Sequence, residues 1–149
     1  MERLLPTSTL EVSQDAAIVL ALARTAVPFV TSTEEEAERW LRVLRMHGQV
    51  GCALQALGVG EAPLETPAGE PSRRRHGRRF TDMVEEVTSR AFSFARRRSA
   101  RAVGTVDVLF AVLYLYGGAF DRELYRRGTS RDELLVRLPT LPALELIES

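Results

Sequence analysis

Apolar residues recur at intervals of three and four through most of the chain, and no run alternates apolar and polar with β-branched enrichment, so the pattern predicts helices and no strands. Ser13 is placed to cap a first helix whose apolar positions are Ala16, Val19, Leu20 and Ala23, with Pro28 to end it. Thr33-Glu34-Glu35-Glu36 has capping-box spacing ahead of Trp40, Leu41, Val43 and Leu44, and this second helix is expected to stop at Gly48. A short third helix, Gly51 to Leu57, would end at Gly58. Further on, Thr81 is the expected cap of a helix with Met83, Val84, Val87, Ala91, Phe94 and Ala95 on its buried stripe and Arg96-Arg97-Arg98 at its negative end. Thr105 is the expected cap of the next, with Leu109, Val112, Leu113 and Tyr116 inward and Gly117-Gly118 as its end. Phe120 and Leu124 mark a shorter helix closed by Gly128. Ser130-Arg131-Asp132-Glu133 is a second capping box, opening a last helix through Leu134, Leu135 and Leu138 to Pro139.

Between these two helical stretches, residues 59–79 concentrate glycine, proline and arginine with no usable period, as an exposed linker would. Matching signals on its two sides keep a nearly constant offset: 68 from Ser13 to Thr81, 72 from Thr33 to Thr105 and 70 from Gly58 to Gly128. The expected architecture is therefore all-α, a single domain over 1–149 built from an internal duplication. Repeat one spans 10–58, the linker 59–79, repeat two 80–138 and a C-terminal tail 139–149. Each unit of three or four short helices would leave one face bare, so the two should pack about a pseudo-twofold axis.

Composition narrows the chemistry. All 20 basic residues are arginine, so neither a P-loop lysine nor a lysine Schiff base is available. They balance 20 acids overall, but residues 1–70 carry a net −5 and 71–149 a net +5. Cys52 alone cannot form an internal disulfide, and with no secretory leader and no apolar run of about 18 residues a cytoplasmic protein is expected. His47, His76 and Cys52 lack metal-ligand spacing, and no Gly-x-Ser-x-Gly elbow or Ser-His-acid set stands out, so no metal, no cofactor and no enzymatic activity are expected.

Phe80-Thr81, Ala95-Arg96, Val103-Gly104-Thr105, Val108-Leu109 and Leu124 to Gly128 together resemble the repeat of the Clp N-terminal domain, the substrate- and adaptor-receiving module of ClpA, ClpB and ClpC unfoldases. The first half is similar in a diverged form, through Val12-Ser13, Leu20 to Ala23, Thr33-Glu34 and Ala53 to Gly58, so the resemblance covers roughly residues 10 to 138. It implies a non-catalytic protein-binding module, free-standing as an adaptor, decoy or accessory subunit of a Clp unfoldase, or the receiving N-domain of a longer one, as monomer or homodimer. The protein-contacting residues it implies are Phe80, Thr81, Thr33, Glu34, Thr105 and Asp107. Phe80 matches the aromatic that opens a repeat, with Val12 at its counterpart, and a hydrophobic peptide groove is expected there. Val106 stands where some family members hold a phosphoarginine-gripping Glu.

Two features remain open to more than one use. Arg73, Arg74, Arg75, Arg78 and Arg79 form a basic run suited to nucleic acid or an acidic partner, or to a solvated linker. This keeps a second class in play: a helical regulator that binds nucleic acid through the linker. Tyr114, Tyr116, Phe120 and Tyr125 have spacing that fits burial, and tyrosines also serve as interface anchors.

Overall fold

In the computed structural model, the described residues are 10–25, 32–59 and 80–138, excluding the side chains of Phe80 and Thr81. They form β1 (Glu11–Val12), α1 (Gln14–Arg24), α2 (Thr33–Met46), α3 (Gly48–Ala56), α4 (Phe80–Arg97), β2 (Ala102–Val103), α5 (Thr105–Arg126) and α6 (Arg131–Val136). The fold is all-α apart from one unexpected feature: β1 and β2 pair in parallel, Glu11 with Ala102 and Val12 with Val103. Two residues per strand are too few for an alternation to register in the sequence, and the pairing joins segments about ninety positions apart.

α5 is the hub, packing on α1, α2, α3 and α4, while α1 also meets α2 and α4. Burial explains its central place. From Thr105 through Leu113, every residue except Phe110 is buried, and Tyr116, Ala119, Phe120 and Leu124 continue the buried face. The expected apolar stripe of α1 is buried at all four positions, and Trp40, Leu41 and Leu44 of α2 meet it in one continuous core. Burying side chains of this size contributes about 1.5–3 kcal/mol each, which is what holds short helices that would fray in isolation.

The helix starts show where local signals and packing diverge. Ser13 caps α1, its Oγ accepting from the Ala16 N–H at 3.1 Å, and Ser130 caps α6, its Oγ accepting from the Glu133 N–H at 3.2 Å. For α2 the cap is Ser32 and not Thr33: the Ser32 Oγ accepts from the Glu35 N–H at 3.0 Å, and Thr33 is the first helical residue. Thr81 does not cap α4 either, because that helix already begins at Phe80. In α5 the cap position belongs to Gly104, whose N–H donates to Asp107 Oδ2 at 2.9 Å, and Thr105 is the first residue inside.

Thr105 has a different task. His47, which precedes α3, makes no side-chain cap bond, and the α3 amide of Val50 donates instead to Thr105 Oγ1 at 3.4 Å. A threonine of α5 thus satisfies an orphan donor in the first turn of α3. Close approach makes this possible: a Cβ on Gly48 would lie 2.6 Å from Thr105 Oγ1 and Cγ2, and Gly48 sits at φ +79, so this position admits glycine on both counts. That is why α2 ends at Met46 and α3 starts at Gly48, earlier than the expected Gly51.

The ends of α3 and of the second part of α5 are alike. Gly58 donates to the Gln55 carbonyl and Val59 to the Leu54 carbonyl; seventy positions later Gly128 donates to Tyr125 and Thr129 to Leu124, all four at 3.0 Å. Both glycines have φ +89. Gly117, expected to terminate a helix, breaks α5 at φ +39 and ψ −110, after which the chain re-enters helix at once. Residues 60–79 and 139–149, including Pro139, lie outside the described residues, as does Pro28.

Candidate functional site

A groove of about 440 Å³, lined mainly by aromatic, leucine and arginine side chains, lies where α4, α5 and α6 converge. α4 supplies Phe94, Arg97 and Arg98, three and four residues apart and so on one face; α5 supplies Phe110, Leu113 and Tyr114; α6 supplies Arg131 and Leu135. The sequence placed Phe94 on the buried stripe of α4, but it is half-buried and lies edge-to-face on Phe110, ring centroids 5.8 Å apart at 65°. Tyr114 stands 61% exposed at the groove edge, with the Arg90 guanidinium 4.3 Å from its ring centroid, and Arg97 lies 5.8 Å from that of Phe94. The result is an aromatic floor with a cationic rim.

Two rim arginines are fixed by carboxylates. Arg98 makes a bidentate contact with Asp107, Nε to Oδ1 and Nη2 to Oδ2, each at 2.8 Å. That hydrogen bonding, with the charge of Asp107, raises the Arg98 pKa against the opposing pull of burial. Arg131 grips Asp121 in the same fashion at 3.0 and 2.8 Å. These forks hold the C-terminal turn of α4 to the start of α5, and α6 to the second part of α5.

The residues expected to contact partners are dispersed by the fold. Asp107 is fully buried and Thr105 is 4% exposed, and both direct their polar atoms inward, so they position helices and offer nothing to a docking protein. Thr33 and Glu34 remain partly accessible at the start of α2, where Glu34 pairs with Arg122 of α5. An exposed pair of this kind contributes at most about 1 kcal/mol. The Phe80 and Thr81 side chains, His76 and the run Arg73, Arg74, Arg75, Arg78 and Arg79 lie outside the described residues. The four aromatics divide: Tyr116 and Phe120 are core, whereas Tyr114 and Tyr125 are exposed at 61% and 80%. Phe110, Leu113, Leu135 and Arg90 were not singled out as binding residues in the sequence. The recoverable signal was Arg90, Phe94 and Arg97 sharing one face of α4.

Beneath the surface, α2 and α5 are joined by polar groups. Trp40 Nε1 donates to Tyr116 Oη at 3.3 Å, and that hydroxyl donates to Glu36 Oε1 at 2.7 Å, with all three residues buried. Glu36 was expected to reach back as a capping partner; facing the core, it accepts from Tyr116 instead. Nearby, Glu123 is 1% exposed, its Oε2 accepting from Arg126 at 3.2 Å and its Oε1 without a hydrogen bond. Burial pushes the Glu123 pKa up; Arg126 and Arg127 oppose this, and Glu38 and Glu34 add to it. A carboxyl whose value is raised in the folded state binds its proton more tightly there than when unfolded. Its contribution is therefore fullest at low pH and declines as pH rises above the ordinary 4.5. Glu123→Gln is accordingly expected to raise stability at neutral pH and to flatten the decline above pH 4.5, read as urea midpoints across that range. A lower midpoint at neutral pH would show that the Arg126 contact outweighs desolvation.

Among the described residues no group of His, Cys, Asp and Glu is placed to hold a metal ion, and no helix is long and apolar enough to cross a membrane. The chain matches no family model, and no curated protein matches it.

Proposed function

We propose that this chain is a non-catalytic protein-binding module of the Clp N-terminal kind, working with a Clp unfoldase as adaptor, accessory subunit or receiving domain in the cytoplasm. The observation that carries the reading is the groove of α4, α5 and α6, whose aromatic floor and exposed Tyr114 have the composition of a peptide-docking surface. Two features support the double repeat: the equal caps at Gly58 and Gly128, and the packing of α1 on α4 and of α2 on α5, each pairing counterparts across the duplication. Docking here would raise the partner's local concentration at an ATPase ring without chemistry by this chain. Of the residues the resemblance implied, Thr33, Glu34, Phe80 and Thr81 are kept as proposed partner contacts in addition to the groove, while Thr105 and Asp107 belong to the scaffold.

The test is affinity capture of the tagged full-length protein with quantitative mass spectrometry, before and after nuclease. A Clp unfoldase or protease subunit should be enriched, survive nuclease, and fall several-fold in a Tyr114→Ala variant of unchanged helicity. Absence of any Clp subunit, with bound material stripped by nuclease, would overturn this reading in favour of nucleic-acid binding.

A further inference from the structure

Whatever occupies the groove must satisfy its charge as well as its apolar floor, and the arginines around it are not equivalent. Arg98 and Arg131 are each neutralised by a bidentate carboxylate, Asp107 and Asp121. Arg90 and Arg97 make no ion pair among the described residues. They lie four residues before and three after Phe94, so all three share one face of α4, and each guanidinium lies over an aromatic ring of the groove, Arg90 over Tyr114 and Arg97 over Phe94. A guanidinium stacked on a ring keeps its edge N–H donors pointing outward, where they fit a carboxylate bidentately. The last acidic residue of α4, Glu86, lies one turn before Arg90 and borders a neighbouring concavity with it, but no ion pair joins the two. Two uncommitted cations therefore flank an apolar floor.

We infer that the groove binds an acidic apolar peptide segment, one whose leucine or aromatic side chains enter between Phe94, Phe110, Leu113 and Leu135 while its carboxylates meet Arg90 and Arg97. This rests on the reading of the chain as a protein-binding module and names the chemistry of its partner. A basic peptide would bring like charges onto Arg90 and Arg97, and an uncharged one would leave their outer donors to water, so discrimination comes from the rim and affinity from the floor. The same design makes binding sensitive to salt, because both arginines are near the surface.

The experiment titrates the full-length chain against three fluorescein-labelled peptides with identical leucine and phenylalanine anchors, differing only in carrying Glu, Gln or Lys between them. The Glu peptide should bind about tenfold more tightly than the Gln peptide, and the Lys peptide not measurably, as expected for a pair of charge-assisted contacts near the surface. The Glu preference should shrink with added salt and vanish in the Arg90→Gln/Arg97→Gln variant, whereas Tyr114→Ala should weaken the Gln peptide as well as the Glu peptide. Equal affinity for the Glu and Gln peptides, or preference for Lys, would overturn the inference. So would a concentration-dependent dimer that excludes every peptide, since the occupant would then be a second copy. Capture of a Clp subunit with no peptide binding refutes the acidic-groove inference alone. Glu-selective binding with no Clp subunit captured refutes only the Clp reading.

Discussion

Replacing Trp40 with alanine is expected to lower the unfolding free energy by about 3–5 kcal/mol, the usual cost of emptying a fully enclosed aromatic site. Trp40 is 0% exposed and is the only tryptophan in the chain. It lies on α2, where it packs in the core that α2 and α5 share, and its indole N–H donates to the Tyr116 hydroxyl. Alanine would remove the packing and one donor to Tyr116 together. Total stability in domains of this size is typically about 5–15 kcal/mol, so the variant should sit near the edge of folding. Urea unfolding followed by circular dichroism reads the effect, because tryptophan fluorescence disappears with the substitution. Trp40→Phe limits the packing loss while still dropping the N–H, since it keeps most but not all of the ring volume, and should cost clearly less. A midpoint for Trp40→Ala within error of the parent would show that α2 and α5 are held by something else.

Asp107→Ala is the second large effect, expected to cost about 3 kcal/mol, toward the lower end for breaking a buried pair because the Arg98 side chain retains 16% exposure and can turn to water. Three donors lose their acceptor at once: Nε and Nη2 of Arg98, and the Gly104 N–H at the start of α5. The residue therefore ties the end of α4, the β2 segment and the first turn of α5. Arg98→Ala should cost at least as much, since it leaves the fully buried Asp107 carboxylate without its cation and with only the bond from Gly104. The double variant should be more stable than the sum of the single losses implies, by about 1 kcal/mol or more, if the two side chains act on each other. Strict additivity in thermal or urea unfolding would mean that each residue is held by separate contacts. Since Arg98 also borders the groove, peptide binding by these variants measures how much the groove depends on the fork.

Much of the fold could be read from spacing because it rests on local rules. The apolar stripe of α1, its Ser13 cap and the Ser130 cap of α6 follow from side chains meeting backbone within one turn, and each is found in place. The same rules failed where a neighbouring residue or a distant element competed. Ser32 took the cap assigned to Thr33 because both have a suitable oxygen and only the backbone geometry at the junction chooses between them. Glu36 had the spacing of a capping partner, yet it lies on the side of α2 that faces Tyr116, eighty positions away, and burial there outweighed capping.

The groove was hidden for a related reason. Phe94 has the position of a core residue in its own helix, and nothing local reports that α6 arrives on that side but leaves a channel. Arg96, Arg97 and Arg98 look interchangeable as a basic helix end, but one forks onto Asp107 while the other two stack on Phe94 and Phe92. Most helix positions, most of the stripe each helix buries and the absence of lysine chemistry were determined by the sequence alone, because hydrophobic periodicity and residue inventory need no knowledge of neighbours. Which polar residues are consumed inside the molecule and which stay available to a partner was decided only by tertiary structure. Asp107 and Thr105 disappear into the scaffold while Arg90 and Arg97 remain uncommitted, because burial and ion pairing are properties of facing elements, and those are chosen by the packing of the whole chain.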